Sequence, residues 1–167
     1  MSNKVTNIVV AGLGGQGVLK ASDILADVAF RAGLDVKKSE IHGMSQRGGS
    51  VASDVRFGRT VLSPMVPPGE ADYLVVLAPD QIEPNRYRLK ADGRLIGPDR
   101  VDETSLPDRR GINVALLGVL STCLSFPEEI WITAIRARFD SRLHEANVQA
   151  FAIGRAAGAV APGSHDR

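Results

Sequence analysis

Ile8-Val9-Val10-Ala11 runs straight into Gly12-Leu13-Gly14-Gly15-Gln16-Gly17, four glycines in six positions, and the chain resumes as Val18-Leu19-Lys20-Ala21. A short apolar run closed by glycine reads as a buried strand, and the helical spacing that follows reads as a helix. The turn between them calls for glycine, because a chain that turns so sharply adopts positive φ or passes so close to a neighbour that a Cβ would obstruct it. Amides of the turn and the positive end of the helix dipole then face one small volume. That volume suits a phosphate, a carboxylate or a partner's carbonyl oxygen.

Gly12, Gly14 and Gly17 satisfy G-x-G-x-x-G, and Glu40 follows Gly17 by 23 residues, where an acidic group would meet a ribose in a dinucleotide-binding fold. The same glycines serve equally a turn needed only to pack helix on strand, so the fingerprint alone does not decide. Val18, Ala21, Ile24, Leu25, Val28, Ala29 and Ala32 recur at helical spacing up to Gly33, and Leu34–Ile41 reads as a second strand. The first forty residues are thus read as a βαβ unit with a right-handed crossover. The expected class is α/β, a single Rossmann-like domain over 1–160 with a mostly parallel sheet and helices on both faces.

Ile41-His42-Gly43-Met44-Ser45-Gln46-Arg47-Gly48-Gly49-Ser50 is polar, glycine-rich and without period. It follows the second strand, so it is expected beside the first glycine turn, at the sheet edge where open α/β folds place ligands. Arg47 would bring a charged bidentate donor there, Gly48 and Gly49 close backbone approach, and His42 a group able to accept or donate a proton. A glycine-rich loop with a single histidine is equally an ordinary connection; two such loops converging on one edge favour the functional reading.

Farther on, Val51 to Phe57 alternates as a strand, with Thr60-Val61-Leu62 read as its hairpin partner across Gly58-Arg59. Pro64, Pro67 and Pro68 make the next segment a stiff surface connection. Tyr73–Ala78 is apolar on both faces and reads as a central strand, Ile82–Leu89 as a short helix or turn, and Ala91-Asp92-Gly93 as a reversal into a strand at Arg94–Ile96. After a connector over 97–111, Asn113 is expected to open a long helix, as its N-cap or as a ligand contact. Pro127 starts another helix with Glu128 and Glu129 at its positive end, Arg136, Arg138 and Arg142 form a solvated face, Val148–Ala157 is a last amphipathic helix, and 161–167 is read as a flexible tail.

Lysine plus arginine number 20 against 19 acidic residues, so no electrostatic footprint for nucleic acid or an anionic membrane is present. Hydrophobic residues at 44%, no long apolar span and no secretory h-region point to the cytoplasm. Cys123 is the single cysteine, which excludes an internal disulfide and an iron–sulfur cluster held by four thiolates of this chain; its apolar surroundings read as a buried, inert thiol.

Taken in order, G-L-G-G-Q-G at 12–17, E-I-H-G-M-S-Q-R-G-G-S at 40–50, S-P at 63–64, E-A-D at 70–72, N-V-A-L-L-G at 113–118 and N-V-Q-A-F at 147–151 resemble the gamma-type subunit or domain of the 2-oxoacid:ferredoxin oxidoreductases. The histidine-to-serine loop is most similar to the beta subunit of the indolepyruvate enzyme. The resemblance covers nearly the whole chain. It implies a complex that oxidatively decarboxylates an aryl-2-oxoacid, forms the acyl-coenzyme A and passes electrons to ferredoxin. Thiamine diphosphate, magnesium and iron–sulfur clusters would belong to a large catalytic partner subunit, with no cofactor bound by this chain alone. The chain would complete the active-site face and contact coenzyme A, lining it with Gly12, Gly14, Gly15, Gln16, Gly17, His42, Ser45, Gln46, Arg47, Gly48, Gly49 and Asn113. No residue is assigned a catalytic step. The region after Arg94 is shorter than the resemblance leads one to expect, which leaves indolepyruvate, phenylglyoxylate and other aryl-2-oxoacids open. Two other readings stand beside it: a free-standing dinucleotide-binding oxidoreductase, and a purely structural partner subunit.

Overall fold

In the computed structural model, residues 3–42 and 48–160 are described. The apolar run before the glycines forms strand β1 (Thr6–Leu13), and the periodic segment after them forms helix α1 (Val18–Arg31). Gly33 ends α1 with φ 87°; its N–H bonds Phe30 O at 3.0 Å and the Leu34 N–H bonds Ala29 O at 3.1 Å, which satisfies carbonyls the helix would leave open. Strands β2 (Asp35–His42), β3 (Ser50–Gly58), β4 (Ala71–Val76) and β5 (Leu89–Ile96) complete a five-stranded sheet in the order β2-β3-β1-β4-β5. β1, β4 and β5 are parallel neighbours, whereas β3 pairs antiparallel with both β1 and β2. β2 therefore runs in the direction of β1 but is not adjacent to it. The expected βαβ unit is present with a strand inserted between its two strands.

Alternation within the strands sorts the core. Ile8, Val10 and Val75 pack with Ile24, Leu25, Leu116, Trp131 and Phe151 in the layer of long helices. Val9, Leu74 and Val76 face the other way, against Val66, Ile82, Leu89 and Leu95. Among the described residues that second face carries the four-residue helix α2 (Ile82–Asn85), the 3-10 turns on either side of it and the proline-rich connector, so the two faces are covered very unequally. Polar groups hold the connector down: Val61 N–H donates to Asp35 Oδ2 at 2.8 Å, Arg56 Nη1 to Ser63 O at 2.7 Å and Val66 N–H to Asp54 Oδ2 at 2.9 Å. Asp54 is fully buried and accepts both contacts of Arg88 Nη2, at 2.7 and 2.8 Å. Thr60-Val61-Leu62 is accordingly not a hairpin partner. Its backbone hydrogen bonds go to the side chains of Asp35 in β2 and of Asn3, and β3 already has a strand on each side.

Residues 91–93 lie inside β5, not in a reversal; the ladder shifts register between Ala71 and Tyr73, and a Cβ on Gly93 would come within 2.8 Å of Ala71 O. Three single 3-10 turns fill the connector and lead into α3 (Ile112–Ser121), every residue of which is buried. Helix α4 (Glu128–Arg138) starts after Pro127 as expected, and α5 (Ser141–Ala159) is longer than the apolar pattern indicated. α3 and α5 cross at two glycines: a Cβ on Gly118 would overlap Phe151 O, and one on Gly154 would overlap Ala115 O. Trp131, absent from the apolar periodicity, anchors this layer between Phe126 (centroids 6.3 Å apart) and Phe151 (5.6 Å). Cys123 is half-buried, not enclosed, because it follows the end of α3. The expected tail at 161–167 lies outside the described residues.

Candidate functional site

The glycine turn is shaped by contacts that each exclude a side chain. A Cβ on Gly12 would fall 2.8 Å from Gln16 Oε1 and 2.9 Å from Val18 Cγ2. That space is taken because Gln16 folds back and accepts the Leu13 N–H at 2.7 Å, while the Gln16 N–H donates to Leu13 O at 3.1 Å. Gly15 (φ 91°) and Gly17 (φ 81°) supply the two left-handed steps that bring the chain from strand to helix, and Gly17 sits directly before α1. A Cβ on Gly17 would meet Asn113 Nδ2, which donates to Gly17 O at 3.2 Å. Asn113 is thus inside α3, after the capping Gly111, and ties that helix to the turn; its Oδ1 accepts the Val114 N–H at 2.9 Å.

The register of β3 brings the second glycine loop to the first. Leu13 is opposite Ser50, so Gly48 and Gly49 lie beside Gly14, whose N–H donates to Gly49 O at 2.8 Å. A Cβ on Gly14 would stand 3.2 Å from Gly48 N. The backbones touch because neither carries a side chain there. Of the residues expected on this edge, Gly12, Gly14, Gly15, Gln16, Gly17, His42, Gly48, Gly49 and Asn113 are described and belong to or border the junction; Ser45, Gln46 and Arg47 lie outside the described residues.

A cleft of about 440 Å³ opens at the junction, between Gly14, Gly15 and Gly17, the first turn of α1, and His42. The amides of Val18, Leu19 and Lys20 are the ones a helix leaves without intrahelical partners, and among the described residues no side chain caps them. Lys20 also lines the cleft; its Nζ donates to Arg138 O at 3.0 Å and lies 5.2 Å from the Phe139 ring centroid, which holds the ammonium at the end of α4. The periodicity gives no notice of Lys20, because it falls on the solvent side of the helical pattern. His42 is exposed, and its only acidic neighbour among the described residues is Glu40, 3.9 Å away. Glu40 in turn contacts Lys38 at 3.2 Å, and Lys38 also pairs with Asp23. This chain of charges lies along the edge strand β2. Behind the turn, the Arg110 guanidinium beside Asp108, with the Arg110 N–H, holds the Asp108 carboxyl at about 2.

Fold and edge together define an open α/β domain with backbone amides and a lysine at the carboxyl end of its central strand. The chain belongs to the pyruvate ferredoxin/flavodoxin oxidoreductase family, whose model matches residues 7–157. It is 51% identical over 84 residues to the indolepyruvate oxidoreductase subunit IorB of Thermococcus kodakarensis, an alignment covering 50% of this chain and 41% of that protein. IorB of Methanothermobacter thermautotrophicus is 30% identical over 192 positions, covering 92% of this chain and 97% of that one. The first of these alignments thus spans less than half of the relative's length. Among solved structures, a 2-oxoglutarate:ferredoxin oxidoreductase from Magnetococcus marinus, with 2-oxoglutarate, coenzyme A and succinyl-CoA bound, superposes with a TM-score of 0.83 at 20% identity, over 96% of this chain and 32% of that one. At that identity the likeness is one of fold.

Proposed function

We propose that this chain is the small subunit of an indolepyruvate, or related aryl-2-oxoacid, ferredoxin oxidoreductase, and that its glycine junction completes the partner's active-site face and contacts coenzyme A. The observation that carries the reading is the bond from Gly14 N–H to Gly49 O, which joins the two loops beside uncapped helix amides and Lys20. Coenzyme A carries a diphosphate and a 3′-phosphate, and such groups suit amides at a helix start and a fixed ammonium. Arg47 stands in sequence between His42 and Gly48, and a guanidinium is suited to the same phosphates.

The residues of this chain do not fit the cofactors that break the carbon–carbon bond. One cysteine cannot supply the thiolates of an iron–sulfur cluster, and among the described residues no three His, Cys, Asp or Glu side chains gather at a metal-binding distance. Ala91-Asp92-Gly93 is part of a strand and offers no diphosphate loop. In this reading thiamine diphosphate, magnesium and the clusters belong to the large partner, and electrons leave for ferredoxin through it. This chain's part is to orient and shield.

Anaerobic co-purification from the host tests the reading, with the recovered material assayed for coenzyme A-dependent electron release from indolepyruvate and phenylglyoxylate. A partner rich in iron and thiamine diphosphate, active with one of the two, is expected, and Arg47→Ala should raise the KM for coenzyme A with assembly intact. Recovery of the chain alone would overturn it. A second reading, that the junction only packs against the partner, has support in the internal use of Gln16 and Asn113; it predicts that junction substitutions abolish assembly and activity together and leave the KM of any residual enzyme unchanged.

A further inference from the structure

A second concavity lies at the far end of α3, whose ten residues put it about 15 Å from the glycine junction. It is a cleft of about 730 Å³ between the outer edge of β5, the end of α3 and the last turns of α5. Arg94, Arg100 and Arg155 line it, and among the described residues no acidic one does. In a chain with 20 basic and 19 acidic residues, three guanidiniums in one cleft are a local concentration of positive charge. Among the described residues Arg94 and Arg100 meet no carboxylate within 4.0 Å, and Arg155 reaches Glu128 only at 3.8 Å, outside the cleft lining. Arg155 Nη1 also donates to Ser121 Oγ at 3.1 Å, and Arg94 Nη1 to Cys123 Sγ at 3.7 Å, so two of the three forks are steadied by α3 and the residues just after it. Leu95, Val119 and Leu124 form an apolar wall beside the charges.

We propose that this cleft binds a phosphate-bearing organic anion, with the guanidiniums taking the phosphate oxygens and the apolar wall the organic part. Planar guanidinium forks match phosphate geometry in a bidentate way, and the volume falls in the range of small-molecule sites. The site is separate from the edge proposed to meet coenzyme A and does not depend on that reading.

Cys123 is the chain's one cysteine and borders this cleft and a neighbouring one lined by Lys4 and Arg59, so its alkylation by iodoacetamide, an uncharged reagent, reports on this end of the molecule, and Arg100→Gln tells the two clefts apart. The full-length chain is treated with iodoacetamide in the presence of inorganic pyrophosphate or of ADP, at constant ionic strength set with sodium chloride. Saturable protection of Cys123 by both is expected. Tighter protection by ADP would show that the organic part is held, and equal protection that the phosphates alone are; either supports the site. Arg100→Gln, which removes no contact within the fold seen among the described residues, should weaken the protecting affinity by roughly tenfold or more, the loss expected for one charge-assisted contact. Absence of protection, equal protection by sodium chloride alone, or unchanged affinity in Arg100→Gln with native circular dichroism would each overturn the proposal. Calorimetry with pyrophosphate on the Cys123→Ala chain reads the same site without the thiol, and no heat in that titration would overturn it as well.

Discussion

Gly15 and Gly17 share a left-handed backbone, but their surroundings differ, and so should the effect of filling them. A Cβ on Gly15 meets nothing within 4 Å, so Gly15→Ala pays only for the strained φ, about 1 kcal/mol. Gly17→Ala adds a clash with Asn113 Nδ2 and loosens the tie to α3, for a total of about 2–3 kcal/mol. Urea midpoints of the two variants check the ordering, and equal losses would contradict it. The glycines were legible from spacing because φ > 0 selects for them strongly. Gln16 was singled out as facing a ligand, yet its carbonyl oxygen serves Leu13; a bond from a side chain to its own turn leaves no periodic mark in a sequence. Asp35 gives a pH test at the same scale. The Val61 N–H and then Lys37 hold its carboxyl below the usual carboxylate range. Its folded pKa is thus lower than its unfolded one, so its contribution is present above the unfolded value near 3.8 and is lost as pH falls through the lower folded value. Asp35→Asn should destabilise the chain at neutral pH and flatten the fall in urea midpoint below pH of about 4. An acid limb as steep as that of the parent chain would show that Asp35 does not carry it.

Two contacts between elements decide how the layers hold. α3 and α5 approach until backbone meets backbone at Gly118 and Gly154, so Gly154→Ala has no way to fit without moving a helix. Overpacking of that kind should cost about 3 kcal/mol or more, seen as a lower thermal midpoint. On the opposite face the buried Asp54–Arg88 pair joins β3 to the segment after α2 and, through the Val66 N–H, to the connector. Asp54→Ala leaves a buried guanidinium unpaired, a loss of about 3–5 kcal/mol, whereas Asp54→Leu combined with Arg88→Met should recover part of it. Equal destabilisation by the single and double changes would show that the Val66 bond, not the ion pair, matters. Strand positions were legible here and strand partners were not. The alternation over 51–57 marks β3 correctly, but a period of two carries no direction, and nothing local says that β3 inserts between β1 and β2. Nor does the alternation show that Asp54 is buried, because the connector that covers it arrives from later in the chain.

At the scale of the whole molecule, the inserted strand bears on which ligand the carboxyl edge can take. In a dinucleotide-binding fold the acidic residue that meets the ribose ends the strand adjacent to β1, about 5 Å across the sheet. Here β2 stands two strand spacings away, about 10 Å, with β3 and Gly48-Gly49 between it and the glycine turn. Glu40 is also engaged, by Lys38 at 3.2 Å, and projects from an edge strand. The glycine turn keeps its capacity for a phosphate, because that capacity lies in the amides and not in the strand order. The two parts of the dinucleotide fingerprint are therefore separated in space even though their spacing along the chain is normal, and only topology distinguishes the cases. NADH fluorescence should accordingly show no saturable enhancement on titration with the full chain. Saturation abolished by Glu40→Ala would mean that ribose is held from β2 after all, and would return the dinucleotide enzyme as the better account of this edge.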